Sequence, residues 1–251
     1  MIRSLYTGAM GMIVQEKRQE SVSNNLSNIE TNSFKQQAII ASASFEKSVL
    51  NRANDPGNRL TSIGSMHFGI SVDDSYINFE QGILKETGRP LDFAIDGEGF
   101  FTVQLPNGEH VYTRDGSFRL NAWGELVTKE GLLVLGSEGE PIYLGTEDFT
   151  ADARGGILTQ EGSYATLGIV TFADLQNLQK IGDNLYTLKA GEAEAANNFS
   201  LRQGFLEGSN VNALDELVKM IEISRSFESN QRVLQSVDET LGKAVNEVGR
   251  L

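Results

Sequence analysis

The chain has 251 residues, enough for one large domain or two small ones, and its 39% hydrophobic and 22% charged residues give the balance of an ordinary soluble protein. A net charge of −13 disfavours nucleic acid and anionic bilayers as partners, no local basic patch offsets it, and no run approaches the roughly 18 apolar residues of a membrane span, so direct membrane insertion is not expected. Cysteine is absent, which removes disulfides, thiolate nucleophiles and cysteine-ligated zinc together.

Arg3 followed by LYTGAMGMIV, from Leu5 to Val14, invites comparison with a cleaved leader. Thr7, Gly8 and Gly11 interrupt the apolar run, and the charged QEKRQE stands where a small-residue cleavage site belongs. The segment therefore reads as the start of a helix, and export would need another route. A seven-residue count from Leu5 passes through Gly8, Met12, Gln15, Gln19, Val22, Leu26 and Ile29, predicting a helix of about 28 residues with an apolar seam and a polar middle. It runs out in NNLSNIETNSFK, residues 24–35, where asparagine fills the positions around Leu26 and Ile29. Amides donate and accept at once, so they satisfy buried polar groups at helix contacts without a charge that needs a counterion.

Residues 36–75 read as an extended arm or connector, with the polar stretch 46–65 around NRANDPGN as a loop. From there to residue 209 the period changes to that of a β body. Turn signals PNG, RDG, AWGE and EGE punctuate the runs FFTVQL (100–105), HVYTR (110–114), SFRLN (117–121), LLVLG (132–136), YATLGIVTF (164–172) and NLYTL (184–188), which predict strands of an antiparallel body.

Chemistry is thin along this stretch. His67 and His110 lack metal-ligand spacing, and Asp73–Asp74 and DGEG lack the alternating oxygens of a calcium loop. Asp92, Asp96 and Glu98 could be offered as a glycosidase carboxylate pair. LDFAIDGEGFF reads better as strand, glycine turn and strand, with Gly97 and Gly99 there for backbone geometry. Trp123 reads as a packing residue, and Arg114 and Arg119 as paired or solvated. No enzymatic activity, cofactor or metal is expected.

The carboxy terminus carries the cleaner helical pattern: Met220, Ile223, Phe227, Asn230, Leu234, Val237, Leu241, Ala244, Val248 and Leu251 alternate steps of three and four. A second stripe of Leu214, Leu217, Val218 and Ile221 widens its first turns. A start near Asn212 fits a capping amide, with Asp215 and Glu216 in the first turn at the positive end of the dipole. The fold class expected is α+β: long terminal helices paired in a coiled-coil-like domain (1–35 with 210–251), an extended connector (36–75) and an inserted, mainly antiparallel β body (76–209).

NNLSNIETNSFK, IDGEGFF, YTRDGSF and EGSNVNALDELVKMIEISRSFESNQRVLQ, in that order, resemble the flagellar basal-body rod and hook family across essentially the whole chain. The likeness is greatest to its rod members, distal ahead of proximal. The resemblance implies a non-enzymatic axial subunit of the basal body, exported unfolded by the flagellar type III export apparatus. Its partners would be copies of itself in a helical tube and other rod and hook subunits. The helical seams and the matched motifs together place the expected assembly interface at Leu5, Met12, Val22, Asn25, Leu26, Asn28, Ile29, Thr31, Phe34 and Lys35 in the first terminal segment. In the second it includes Asn210, Asn212, Met220, Ile223, Phe227, Asn230, Leu234, Val237, Leu241 and Val248. Ser33 stands where many members have glycine. Apart from that resemblance, the residues alone also admit a soluble coiled-coil adaptor or a secreted glycan-active β-domain enzyme.

Overall fold

The computed structural model describes residues 2–52, 60–146, 149–159 and 164–248; most of NRANDPGN, Leu251 and the Val248 side chain lie outside the described residues. The chain divides into two compact units, Met1–Leu26 with Gln37–Tyr76 and Ala213–Leu251, and Ser27–Gln36 with Ile77–Asn212.

The first unit holds α1 (Ile2–Ser27), the strands β1 (Gln37–Arg52) and β2 (Leu60–Ile77), which pair with each other, and α2 (Ala213–Lys243), which ends in a π-type turn at Ala244–Val248. Neither helix contains proline, and both keep to the positions that the apolar spacing marks. Parts of 36–75 that read as a loop or arm are long strands, because small and β-branched residues such as Ile39, Ile40, Ala41 and Ala43 tolerate an extended backbone without a strong alternating pattern.

The expected coiled-coil-like pairing of the terminal helices is not formed. The helices run in opposite directions and meet at separate points: a Cβ on Gly8 would lie 3.0 Å from Leu234, one on Gly11 would lie 3.1 Å from the Asn230 amide, and Asn25 bonds to Glu216. Between these points the seam is covered only in part. Of the seam residues described on α2 only Ile223 is buried, while Met220, Phe227, Leu234, Val237 and Leu241 stay half-exposed; on α1 Val22 is buried and Leu5, Met12 and Leu26 are half-exposed. Heptad spacing fixes which residues share a stripe but not what covers it. Here β1 enters beside the helices, and a cleft of about 890 Å³ is lined by Gly8, Gly11, Ala41, Ala43, Asn230 and Val233.

The second unit is a mainly antiparallel β body. It comprises β3 (Leu84–Glu86), β4 (Phe93–Gly97), β5 (Phe100–Gln104), β6 (His110–Thr113), β7 (Arg119–Leu120), β8 (Leu126–Val127), β9 (Leu133–Val134), β10 (Phe149–Ala151), β11 (Gly156–Thr159) and β12 (Tyr164–Thr166). Then follow β13 (Ile169–Thr171), β14 (Leu178–Gly182), β15 (Leu185–Leu188), β16 (Glu194–Ala195), β17 (Phe199–Gln203) and β18 (Phe205–Glu207). Among the described residues a nine-stranded sheet runs β14-β15-β6-β5-β9-β8-β7, with β13 joining β5 to β16, while β17 pairs with β4 and β18 with β3. Strand β5 sits at its centre. Alternation sends Phe101 into a core with Phe93, Phe118, Leu126, Ile157 and Leu201, and Phe100 into a second one with Ile77, Phe172, Leu178 and Tyr186.

The glycine turn in LDFAIDGEGFF is present, with φ of 113° at Gly97 and 141° at Gly99. A Cβ at either would come within 2.7 Å of Asn198 O or Ile169 Cγ2 respectively. It does not make a hairpin, because β4 takes β17 as its partner while β5 takes β6, β9 and β13. Trp123 is 76% exposed and does not pack; it occupies a turn held by Asn121 Oδ1, which accepts from the Trp123 and Glu125 N–H groups.

Candidate assembly junction

Two polar clasps sit where the terminal segments meet the rest of the chain, one inside each unit. In the β body the clasp is built around Glu207, at the end of β18. Its carboxylate is fully buried, accepts from Lys35 Nζ at 2.6 Å and from the Gly82 N–H at 2.8 Å through Oε1, and pairs with the Arg114 guanidinium at 3.5 Å through Oε2. Lys35 also donates to the Glu80 carbonyl at 2.8 Å. Burial weighs against the charged forms of Lys35 and Arg114, lowering both below their ordinary values, and the Glu207 carboxylate opposes that in each case. Two cations share one acid.

Backbone geometry delivers Lys35 to this point. Ser33 adopts φ 55°, the left-handed conformation that glycine takes most easily, and holds it through its Oγ donating to Arg114 O at 2.7 Å and its N–H donating to Glu207 O at 2.8 Å. Phe34 is buried beneath Lys180, whose ammonium lies 4.2 Å from the ring centroid, and Asn184 donates to Asn32 O. Asn210 closes the same corner: its Oδ1 accepts from the Gln36 N–H, and its Nδ2 donates to the carbonyls of Asn78 and Glu80.

Tyr186 completes the pocket. Its ring packs edge-on against Phe79 and Phe100, and its hydroxyl finds no hydrogen-bond partner among the described residues. Burial raises it above the usual phenol range, Glu207 acts in the same direction, and Arg114 acts against it. A folded state that holds a phenolic proton more tightly than the unfolded chain loses stability as pH rises past the unfolded value of about 10. Tyr186→Phe is therefore expected to be nearly neutral in urea unfolding at pH 7 and to flatten the fall in stability between roughly pH 9 and 11. An unchanged alkaline slope would show that another group sets that limb.

The second clasp lies in the helical unit. The Asn25 side chain pairs with the backbone of Gln37 on both sides: Oδ1 accepts from the N–H at 2.9 Å and Nδ2 donates to the C=O at 2.8 Å. The same Nδ2 donates at 3.0 Å to Glu216 Oε2, whose carboxylate is fully buried and takes Lys219 on its other oxygen at 2.7 Å. Ser21 adds a bond to Gln37 O. Val22 and Ile223 line the same corner.

The residues expected at the interface thus separate. Asn25, Phe34, Lys35 and Asn210 are brought into these clasps, whereas Asn28 and Thr31 bond to each other in the turn after α1 and Asn212 is exposed immediately before α2. The sequence reading missed Glu207 as a partner for Lys35. Its signal was a lone carboxylate after Phe205–Leu206, an acid where alternation calls for a buried side chain. The carboxylates weighed for hydrolysis have other occupations: Asp92 is buried, accepts from Thr87 and faces Arg89, and Asp96 pairs with Arg202 at 2.8 Å.

Residues 94–144 match the family described as flagellar hook protein FlgE/F/G D1 domain, and residues 202–247 match flagellar basal body rod FlgEFG protein C-terminal. The first range contains Arg114 and the second contains Glu207, Asn210 and the whole of α2. Over 98% of its length the chain is 34% identical to the flagellar basal-body rod protein FlgG of Bacillus subtilis strain 168, covering 99% of that protein. It is equally identical to FlgG of Borreliella burgdorferi over 98% of both chains, and 32% identical to the flagellar hook-basal body complex protein FlhO of Bacillus subtilis over the whole of both.

Proposed function

The chain belongs to the family of flagellar basal-body rod proteins, a structural subunit located in the flagellar basal body, and from that premise we propose how it assembles. It polymerises through its terminal segments, 1–35 with 210–251, into the hollow axial shaft, as a subunit of the FlgG, distal-rod kind. Residues 36–75 serve as the connector and 76–209 as the outer body. The work is mechanical and no reaction is catalysed. Its neighbours are copies of itself and other axial rod and hook subunits, and it reaches them as an unfolded substrate of the flagellar type III export apparatus.

The observation that carries this reading is the first half of α2. Leu214, Leu217, Val218 and Ile221 recur at one-turn spacing and are all exposed, Leu214 by 72%, and Ile13 and Tyr6 of α1 are exposed as well. A helix with an uncovered apolar stripe gains by burying it against a neighbour, and one heterologous contact repeated by rotation and translation produces an open tube. The test is Leu217→Asp with Ile221→Asp in the full chain. Because both sites are exposed, monomer stability should move by no more than about 0.5 kcal/mol each. Burying the new charges should lower recovery of the chain in purified hook-basal bodies by about tenfold or more and abolish swarming. Full incorporation of the double variant would remove the terminal stripe from the interface.

A further inference from the structure

We propose that a cleft in the β body receives a carboxylate-bearing, extended segment of a second copy of this chain; this rests on the reading of the protein as a polymerising subunit. The cleft holds about 660 Å³. Its floor is the face of β5 and β6 that carries Thr102 opposite Tyr112, beside the second core. Its walls come from the 136–139 turn, residues 166–170 and the segment around β16.

The chemistry of its lining singles it out. The chain carries 34 acidic residues, yet none of the described ones lines this cleft, while Arg154 and His110 do. Two acids close by in sequence are turned away from it. Alternation along β16 puts Ala193 and Ala195 on one face and Glu194 on the other. Asp152, the acid nearest Arg154 in sequence, accepts from the N–H groups of Arg154 and Gly156. Among the described residues no carboxylate pairs with the Arg154 guanidinium.

A second, independent feature is Thr102, which is 8% exposed and whose Oγ1 lacks a hydrogen-bond partner among the described residues. Hydroxyls in that position are normally satisfied. A guanidinium, an unpaired hydroxyl and the Asn197 amide in one lining suit a carboxylate, which accepts from each kind of donor. Ala193, Ala195 and Ala196 line one wall with short side chains, and the volume exceeds that of a single small anion. A chain of net charge −13 supplies such a segment itself, and the contact is heterologous, as an open helical assembly requires.

The experiment uses the full-length chain in a motile host, with p-benzoylphenylalanine replacing Asn197, and separately Arg154→Glu and Arg154→Lys. Irradiated hook-basal bodies should yield an adduct with the mass of two copies of this chain, mapped to an acidic segment. Arg154→Glu should lower incorporation by about tenfold with an unchanged urea midpoint, and Arg154→Lys should restore most of it. No adduct, an adduct with a glycan or another protein, or normal incorporation of Arg154→Glu overturns the proposal while leaving the rod subunit in place. Absence of the unmodified chain from purified hook-basal bodies overturns the assembly reading and this proposal with it.

Discussion

Glu207→Gln should cost the β body about 3–5 kcal/mol, the range for removing one member of a buried ion pair. The wild-type cluster already holds two cations to one carboxylate, so the variant leaves Lys35 and Arg114 facing each other with no acid between them. The Gly82 N–H also loses its carboxylate acceptor. Lys35→Met leaves a balanced pair of Glu207 and Arg114, and its cost should be clearly smaller. The order of the two variants therefore separates charge imbalance from simple loss of packing. In Glu207→Gln the ammonium of Lys35 loses the group that opposed its burial, and its proton is held less tightly than in the unfolded chain. A base whose folded value is lowered gains stability as pH rises, because the unfolded state binds more protons. The deficit of the variant should shrink on moving from neutral pH toward the ordinary lysine range. Urea midpoints of both variants across that range are the measurement; equal costs for the two substitutions would mean that the cluster is held by shape and not by charge.

Why Glu207 escaped sequence reasoning while Lys35 did not follows from what periodicity encodes. Spacing by three and four located both helices: α1 ends at Ser27, among the asparagines, and α2 begins right after Asn212. Turn chemistry located β5, β6 and β15 and the glycines at 97 and 99. These are local signals, set by backbone conformation and by the face a residue occupies. Partner choice is not local. Lys35 and Glu207 are 172 residues apart, and nothing within either segment names the other. The same limit explains the coiled-coil expectation, since a seam that contains Gly8, Gln15 and Gln19 is compatible with a helix, a hairpin or a neighbouring molecule against it. Ser33 shows the converse. A residue other than glycine at a left-handed position looked like a departure from the family, yet its hydroxyl supplies a bond to Arg114 O that glycine lacks.

Asn25→Asp should be the most damaging single-atom change in the helical unit. The asparagine works because its two ends do opposite things: the oxygen accepts from the Gln37 N–H while the nitrogen donates both to the Gln37 C=O and to Glu216. Aspartate keeps the first bond and turns both others into oxygen against oxygen, with a new charge 3.0 Å from a carboxylate that is itself fully buried. Lys219 already serves Glu216 and lies half in solvent, so it cannot balance two acids at full strength. The loss should reach about 3 kcal/mol or more, against about 1–3 kcal/mol for Asn25→Ala, which removes the bonds without adding charge. The two variants also part in their response to acid. Paired carboxylates raise the proton affinity of one of them, so stability lost at neutral pH returns as pH falls and a shared proton replaces the repulsion. Asn25→Ala has no such pair and should not recover. Hydrogen exchange at the amides of α1 and β1, followed from neutral pH to about pH 5, reads the difference directly. Recovery in neither variant would mean that the bonds to Gln37 outweigh the carboxylate contact, and that the amide-rich end of α1 is there to hold the returning chain and not to neutralise Glu216.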